Sequence, residues 1–231
     1  MDQLLVALDV ESGPRALELA AAVRGIAGGI KIGSRLFTSE GPPIVRELVD
    51  KGDRVFLDLK FHDIPSTVAQ AVSAATSLGV WMLNVHASGG GPMMQAALEA
   101  AAQTADRENR RRPLVIAVTV LTSMNDATMA AAGVTGSVLE QVARLASLTQ
   151  AAGLDGVVAS PQETALIRQT CGADFTIVTP GIRGGAAVTS GKDDQERTMT
   201  APEAIAAGAS YIVVGRPIIA ASDPRAAALR F

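Results

Sequence analysis

Short apolar runs alternate with longer amphipathic, alanine-rich stretches along the whole chain. Apolar runs of four to seven residues are typical of buried strands, and the amphipathic stretches between them are typical of helices. A helical stretch follows each apolar run. The pattern therefore predicts eight strands, near Leu4–Leu8, Gly29–Ile32, Arg54–Leu59, Met82–Val85, Leu114–Val120, Gly156–Ala159, Thr176–Thr179 and Tyr211–Val214.

The repeated strand and helix units indicate the fold class. Because the units lack hairpin turn signals, we expect parallel strands joined by helical crossovers. Glycines at 25, 52, 79, 153 and 208 fall where each helix should end and turn back into a strand. Eight such units in 231 residues predict a single α/β domain over residues 1–231, a closed (β/α)8 TIM barrel. An open, doubly wound sheet is the alternative.

Composition and charge narrow the function classes. The chain is 48% hydrophobic and 19% charged, which excludes a disordered protein. A net charge of −3 gives no electrostatic reason to expect binding to nucleic acid or to an anionic membrane, so we expect a small-molecule partner. No apolar stretch approaches the roughly 20 residues of a membrane span. The single cysteine, Cys171, cannot form an intramolecular disulfide, which fits a reducing cytoplasm.

Charged residues gather where the predicted strands end. In a barrel of this class, functional groups lie at the C-terminal ends of the strands. Side chains alternate with a period of two, so Phe56, Asp58 and Lys60 share the face of the third strand that points into the barrel mouth. The other polar residues at this end are Asp9 after strand 1, Lys31 in strand 2, Asp63 beyond strand 3, Asn84 and His86 at the end of strand 4, and Thr119 and Thr122 at the end of strand 5.

This set of charges has a structural and a functional interpretation. Asp58 and Lys60 alone could form a buried ion pair that only stabilises the rim. Desolvation offsets most of the attraction in such a pair, however, so a cluster that also gathers Asp9, Lys31 and Asp63 favours a functional site. His86 is interpreted as a hydrogen-bonded rim residue. No paired histidine spacing or cysteine cluster indicates a metal site, so we expect no metal.

A phosphate site is predicted at the ends of the last two strands. Pro180, Gly181, Ile182 and Arg183 follow strand 7 and begin a long polar loop that reaches Gln195. Gly215 and Arg216 follow strand 8, where a glycine allows a close backbone approach and an arginine adds a forked cation. Barrels frequently bind phosphate at these two strand ends, so these residues predict a phosphorylated substrate and a lid.

The run from Asp58 to Thr67, with Asp9 and Lys31 upstream, resembles the signature of the orotidine 5′-monophosphate decarboxylase family. The resemblance extends over the whole chain and includes residues 85–87, 121–123, 180–183, 194–195 and 213–217. It implies conversion of orotidine 5′-monophosphate to uridine 5′-monophosphate and CO2 in pyrimidine biosynthesis, without a metal or cofactor.

The same resemblance implies roles for individual residues. Asp58, Lys60, Lys31 and the neighbouring subunit's Asp63 would form the catalytic charge network of a homodimer with shared active sites. Lys60 would be the proton donor. The implied substrate contacts come from Asp9 and Lys31 to the ribose, from Ile64, Thr122 and Pro180 in the pocket, from Thr67 across the dimer interface, and from Arg183, Gln195, Gly215 and Arg216 to the phosphate.

Two other functions remain open from the sequence. The core motif of Asp58, Lys60 and Asp63 is shared by metal-assisted sugar-phosphate decarboxylases and aldolases of the same barrel group. Arg183, Gln195 and the long loop fit that alternative poorly. A barrel that senses a phosphorylated ligand without catalysis is the second alternative, although retention of all the charged positions is unfavourable to it.

Overall fold

A computed structural model of the chain describes residues 2–183 and 199–231. Eight parallel strands close into a barrel in the order β1-β10-β7-β6-β5-β4-β3-β2, and β8 pairs with β9 in a separate two-stranded sheet. The closed (β/α)8 barrel is therefore confirmed over the open sheet. The strands are β1 (Leu4–Ala7), β2 (Gly29–Gly33), β3 (Val55–Phe61), β4 (Met82–His86), β5 (Leu114–Val118), β6 (Gly156–Val158), β7 (Thr176–Thr179), β8 (Ile182–Arg183), β9 (Met199–Thr200) and β10 (Tyr211–Val214).

At least one helix follows each barrel strand, and the β2–β3 and β5–β6 connections contain two each. The predicted glycine caps at 25, 52, 79, 153 and 208 all have positive φ, as expected where a helix turns back to a strand. No helix in the described segments is long and apolar enough to cross a membrane. The α-helices are α1 (Gly13–Val23), α2 (Ser34–Glu40), α3 (Pro42–Asp50), α4 (Pro65–Ser77), α5 (Gly91–Arg107), α6 (Asp126–Ala131), α7 (Val138–Ala151), α8 (Thr164–Cys171), α9 (Ala201–Ala206), α10 (Arg216–Ile219) and α11 (Pro224–Ala228).

Apolar side chains pack on both sides of the strands. The larger cluster lies between strands and helices, and a smaller one fills the barrel interior around Phe56 and Met82. Trp81 and Tyr211 pack against the interior cluster, with their rings edge to face at 5.2 Å. The residues of the interior cluster come before the polar positions along the barrel strands. The cluster therefore forms an apolar floor beneath the polar mouth.

Strand β3 is longer and less regular than the predicted strand Arg54–Leu59. Its register with β4 runs from Leu57 opposite Leu83 to Phe61 opposite Val85, so four steps along β3 match two along β4. The three β3 residues between these pairs lie opposite a single β4 residue, which is a bulge of two extra residues. An even number of extra residues preserves the alternation of faces, and the predicted inward face of β3 is retained.

Candidate active site

Four charged side chains form a chain of alternating sign at the barrel mouth. Lys31 Nζ lies 3.2 Å from Asp9 Oδ1 and 3.3 Å from Asp58 Oδ2. Lys60 Nζ lies 2.6 Å from Asp58 Oδ1. The order Asp9, Lys31, Asp58, Lys60 thus brings together residues from the ends of β1, β2 and β3, as the sequence predicted.

The two central charges are buried and remain ionised. Lys31 is 8% exposed, and the Asp58 side chain is 13% exposed. Burial alone would lower the pKa of Lys31, but the Asp58 and Asp9 carboxylates outweigh it and raise that pKa. Burial would also raise the pKa of Asp58, but Lys31, Lys60 and the hydrogen bonds to this carboxylate outweigh it and lower that pKa. At neutral pH the site therefore holds a desolvated Asp58 carboxylate beside the Lys31 ammonium, with Lys60 Nζ at its other oxygen.

Gly33 allows the close approach of Lys31 and Asp9. A Cβ atom at this position would lie 2.9 Å from Lys31 Nζ and 3.2 Å from Asp9 Oδ1, which is closer than ordinary contact. Sequence reasoning gave Gly33 no role. Its position two residues after a charged residue inside an apolar strand was the available signal.

Asn84 is a second residue of the site that sequence reasoning left without a role. It is fully buried on β4. Its Nδ2 donates to Asp58 Oδ1 at 2.7 Å, and its Oδ1 accepts a hydrogen bond from the Lys60 backbone N–H at 2.8 Å. An amide within a strand gives no sequence signal of such a contact, because its partners lie on another strand.

The segment after β3 is exposed from His62 to Thr67. Asp63 Oδ1 accepts a hydrogen bond from the Ile64 backbone N–H at 2.6 Å, and Ile64 is a large apolar side chain that is 63% exposed. Within the described parts of the chain, no ion pair joins Asp63 to Lys60. The structure therefore does not bring Asp63 and Thr67 into the charged cluster of their own chain.

Histidines 62 and 86 lie beside each other near the cluster, with ring centroids 5.5 Å apart. Burial lowers the pKa of His86, and the neighbouring His62 and Lys60 lower it further. An imidazole with a lowered pKa is neutral at pH 7. His86 thus contributes little positive charge beside the two lysines.

The residues predicted to bind phosphate, where the structure describes them, also lie just after the C-terminal ends of strands. Pro180 follows β7, Gly215 follows β10, and Arg216 begins α10 with an exposed side chain. A Cβ at Gly215 would meet Ala7 Cβ at 3.5 Å and Asp9 Oδ2 at 3.7 Å, which are ordinary contacts, so Gly215 borders the charged cluster. The remaining candidates are Thr122, half-buried in the turn after β5, Arg183, of which only the backbone is described, and Gln195, which lies outside the described residues.

Comparison with known proteins identifies the family. The sequence model of the "Orotidine 5'-phosphate decarboxylase / HUMPS family" matches residues 2–231. The chain belongs to this family. The predicted resemblance is thus confirmed, and the fold and the charged cluster described above are those of a member of the orotidine 5′-phosphate decarboxylase / HUMPS family.

Similar proteins within the family share nearly the whole chain. A protein of Syntrophotalea carbinolica named orotidine 5′-phosphate decarboxylase is 53% identical over 228 residues, which cover 99% of this chain and 92% of that protein. A protein of Moorella thermoacetica with the same name is 52% identical, with 98% and 89% covered. The solved structure of orotidine 5′-phosphate decarboxylase from Lactobacillus acidophilus is 34% identical with a TM-score of 0.85, covering 97% of this chain and 95% of that one.

Proposed function

We propose that this chain is a decarboxylase that converts orotidine 5′-monophosphate to uridine 5′-monophosphate and CO2 in de novo pyrimidine biosynthesis, without a metal or cofactor and with Lys60 as the proton donor. The observation that carries the proposal is the ammonium of Lys60, held 2.6 Å from a buried carboxylate at the barrel mouth. The names of the relatives at about 50% identity support the same substrate.

The proposed chemistry needs a fixed positive charge. When the bond between carbon 6 and the carboxylate breaks, the electron pair stays on carbon 6 and cannot spread into a carbonyl. An ammonium already oriented in a water-poor pocket stabilises this charge more than water could. Lys60 then transfers a proton to carbon 6, forming the new C–H bond, and the resulting amine regains a proton from solvent.

The surroundings of Asp58 support chemistry without a metal. Its carboxylate accepts hydrogen bonds from Lys60 Nζ and Asn84 Nδ2 and forms an ion pair with Lys31 Nζ. A metal ion bound to this carboxylate would have to displace one ammonium group and would be repelled by the other. The groups around the Asp58 carboxylate are therefore those of a network of charged and polar side chains rather than those of a metal site.

The rest of the substrate would extend across the mouth. In the proposal, Asp9 and Lys31 bind the ribose, Thr122, Ile64 and Pro180 line the pocket, and Gly215, Arg216, Arg183 and Gln195 hold the phosphate. The contact distance between a Cβ at Gly215 and Asp9 supports neighbouring ribose and phosphate sites. Residues 1–231 would act as one catalytic domain, since the strands of a single barrel run from β1 to β10.

A homodimer would complete each site. We propose that Asp63 and Thr67 serve the neighbouring subunit, with Asp63 beside that subunit's Lys60. Ile64, which lies between them and is 63% exposed, would lose its contact with water at such an interface, which favours association. Within the described residues Asp63 forms no ion pair with the Lys60 of its own chain, which is compatible with this arrangement.

The proposed function is tested by adding orotidine 5′-monophosphate to purified protein in the presence of a chelator. The loss of orotate absorbance reports turnover, and chromatography identifies the product. We expect uridine 5′-monophosphate to form at the same rate with and without the chelator. Absence of turnover, or turnover that requires an added divalent cation, would contradict the proposal.

A further inference from the structure

The bulge of β3 sets Asp58, Leu59 and Lys60 opposite Asn84 of β4. Residues in a bulge lose regular ladder partners, so their backbone groups need other hydrogen-bond partners. Lys60 has a φ of +54°, a left-handed conformation that residues other than glycine rarely adopt. Something in the surroundings must therefore hold Lys60 in this conformation.

Asn84 contacts both ends of the bulge. Its Oδ1 accepts from the Lys60 N–H, and its Nδ2 donates to Asp58 Oδ1, the oxygen that also accepts from Lys60 Nζ. Only one orientation of the amide satisfies a backbone donor and a carboxylate acceptor together. Because Asn84 is 0% exposed, water does not readily replace either hydrogen bond.

We propose that Asn84 is a positioning residue that fixes the backbone of Lys60 and the carboxylate of Asp58 together, and so aims the Lys60 ammonium at the reacting carbon. This inference rests on the proposed role of Lys60 as the proton donor. Asn84 touches the lysine's backbone and its counter-ion, and it acts through them. Its contribution therefore belongs to the transition state, and its loss should lower kcat more than it raises KM.

The first test is Asn84→Ala with steady-state kinetics on orotidine 5′-monophosphate. A displacement of a reacting group by about 1 Å costs on the order of 100-fold in rate, so we expect kcat to fall about 100-fold while KM changes less than about threefold. The matched control is Thr149→Val on α7, which also removes a buried polar group, since Thr149 Oγ1 donates to Leu145 O at 2.7 Å. We expect that control to keep its kcat.

A second variant separates the two hydrogen bonds of Asn84. Asn84→Asp keeps the acceptor for the Lys60 N–H but loses the donor to Asp58. Burial and the adjacent carboxylate would raise the pKa of the introduced carboxyl group, whereas the pKa of Asp58 is lowered. On acidification the introduced group regains an O–H donor while Asp58 stays ionised, so the ratio of variant to wild-type kcat should rise as the pH falls from 8 to about 5.

The outcomes distinguish this inference from the proposed function. If wild-type protein does not decarboxylate the substrate, the proposed function fails. The crystal structure of Asn84→Ala then decides the inference by itself, as Lys60 should leave its left-handed conformation or its ammonium should leave Asp58. Unchanged Lys60 geometry, an Asn84→Ala kcat within about threefold of wild type, or an equal loss in Thr149→Val would overturn it. If Asn84→Ala does not fold, a flat pH ratio for Asn84→Asp overturns it instead.

Discussion

Substitution of Asp58 by asparagine removes the carboxylate that contacts both lysines of the cluster. Breaking a buried ion pair by neutralising one partner costs about 3–5 kcal/mol in free energy of unfolding. Here the lower end applies, because Lys31 keeps Asp9 at 3.2 Å and the Lys60 side chain is 34% exposed and partly solvated. We therefore expect Asp58→Asn to lower the free energy of unfolding by about 3 kcal/mol and to abolish turnover.

The assay is urea unfolding followed by circular dichroism at pH 7, together with decarboxylation kinetics. The matched control is Asp53→Asn, because Asp53 forms an ion pair with Arg24 at 2.6 Å near the opposite end of the barrel. We expect that control to lose some stability, about 1–2 kcal/mol, and to keep its turnover. An Asp58→Asn variant with wild-type stability, or one that retains turnover, would refute the reasoning.

The difference in free energy of unfolding between wild type and Asp58→Asn should also decrease at low pH. The pKa of Asp58 is lower in the folded protein than its ordinary value, so the unfolded chain binds a proton more readily. The stability that this carboxylate contributes is fully present above the unfolded pKa of about 4 and is lost as the pH falls through the folded pKa. The difference between wild type and Asp58→Asn should therefore be constant from pH 5 to 7 and shrink below pH 4.

Four further variants test other parts of the proposal. Lys60→Ala should lower kcat by more than about 1,000-fold and leave the affinity for uridine 5′-monophosphate, measured by calorimetry, within about tenfold. Arg216→Ala should weaken that affinity by about 10- to 100-fold, and unchanged binding would move the phosphate elsewhere. Lys60→Ala and Asp63→Ala, unfolded, mixed and refolded together, should regain about one site in four. Confirmed subunit exchange without recovered activity would instead mean that Asp63 serves its own chain. Gly33→Ala should displace the Lys31 ammonium and lower kcat/KM about tenfold or more, with little loss of stability.

The barrel could be predicted because buried parallel strands leave a simple sequence pattern. The predicted strands Thr176–Thr179 and Tyr211–Val214 coincide with β7 and β10. Each is a short apolar run, as burial on both faces requires. The helix-ending glycines are equally local signals, since the left-handed conformation at Gly25 or Gly208 is a property of one residue. Together these signals place the charged residues at the C-terminal ends of their strands.

What the sequence could not predict depends on how separate strands align. The role of Asn84 follows from a register shift between β3 and β4. The alternation of apolar and polar residues within either strand gives no sign of that shift. The opposite end of the barrel also holds ion pairs, Arg24–Asp53 and Arg112–Asp155. Their partners are 29 and 43 residues apart. Charges alone therefore do not identify the site, and their position at C-terminal strand ends is the stronger signal.

Desolvation of the charged cluster costs free energy when the protein folds. Lys31 and Asp58 lose hydration when the barrel closes, and the attraction between them offsets that loss. The apolar floor around Phe56 and Met82 lies beneath them and contributes stability that does not depend on the charges. Because the Lys60 ammonium is already held by Asp58 before substrate binds, a carbanion formed at the mouth would meet a fixed charge, whereas in water the solvent would have to reorient. Because the floor and the mouth are separate, one small barrel can hold charges that lose hydration on folding and that would favour decarboxylation.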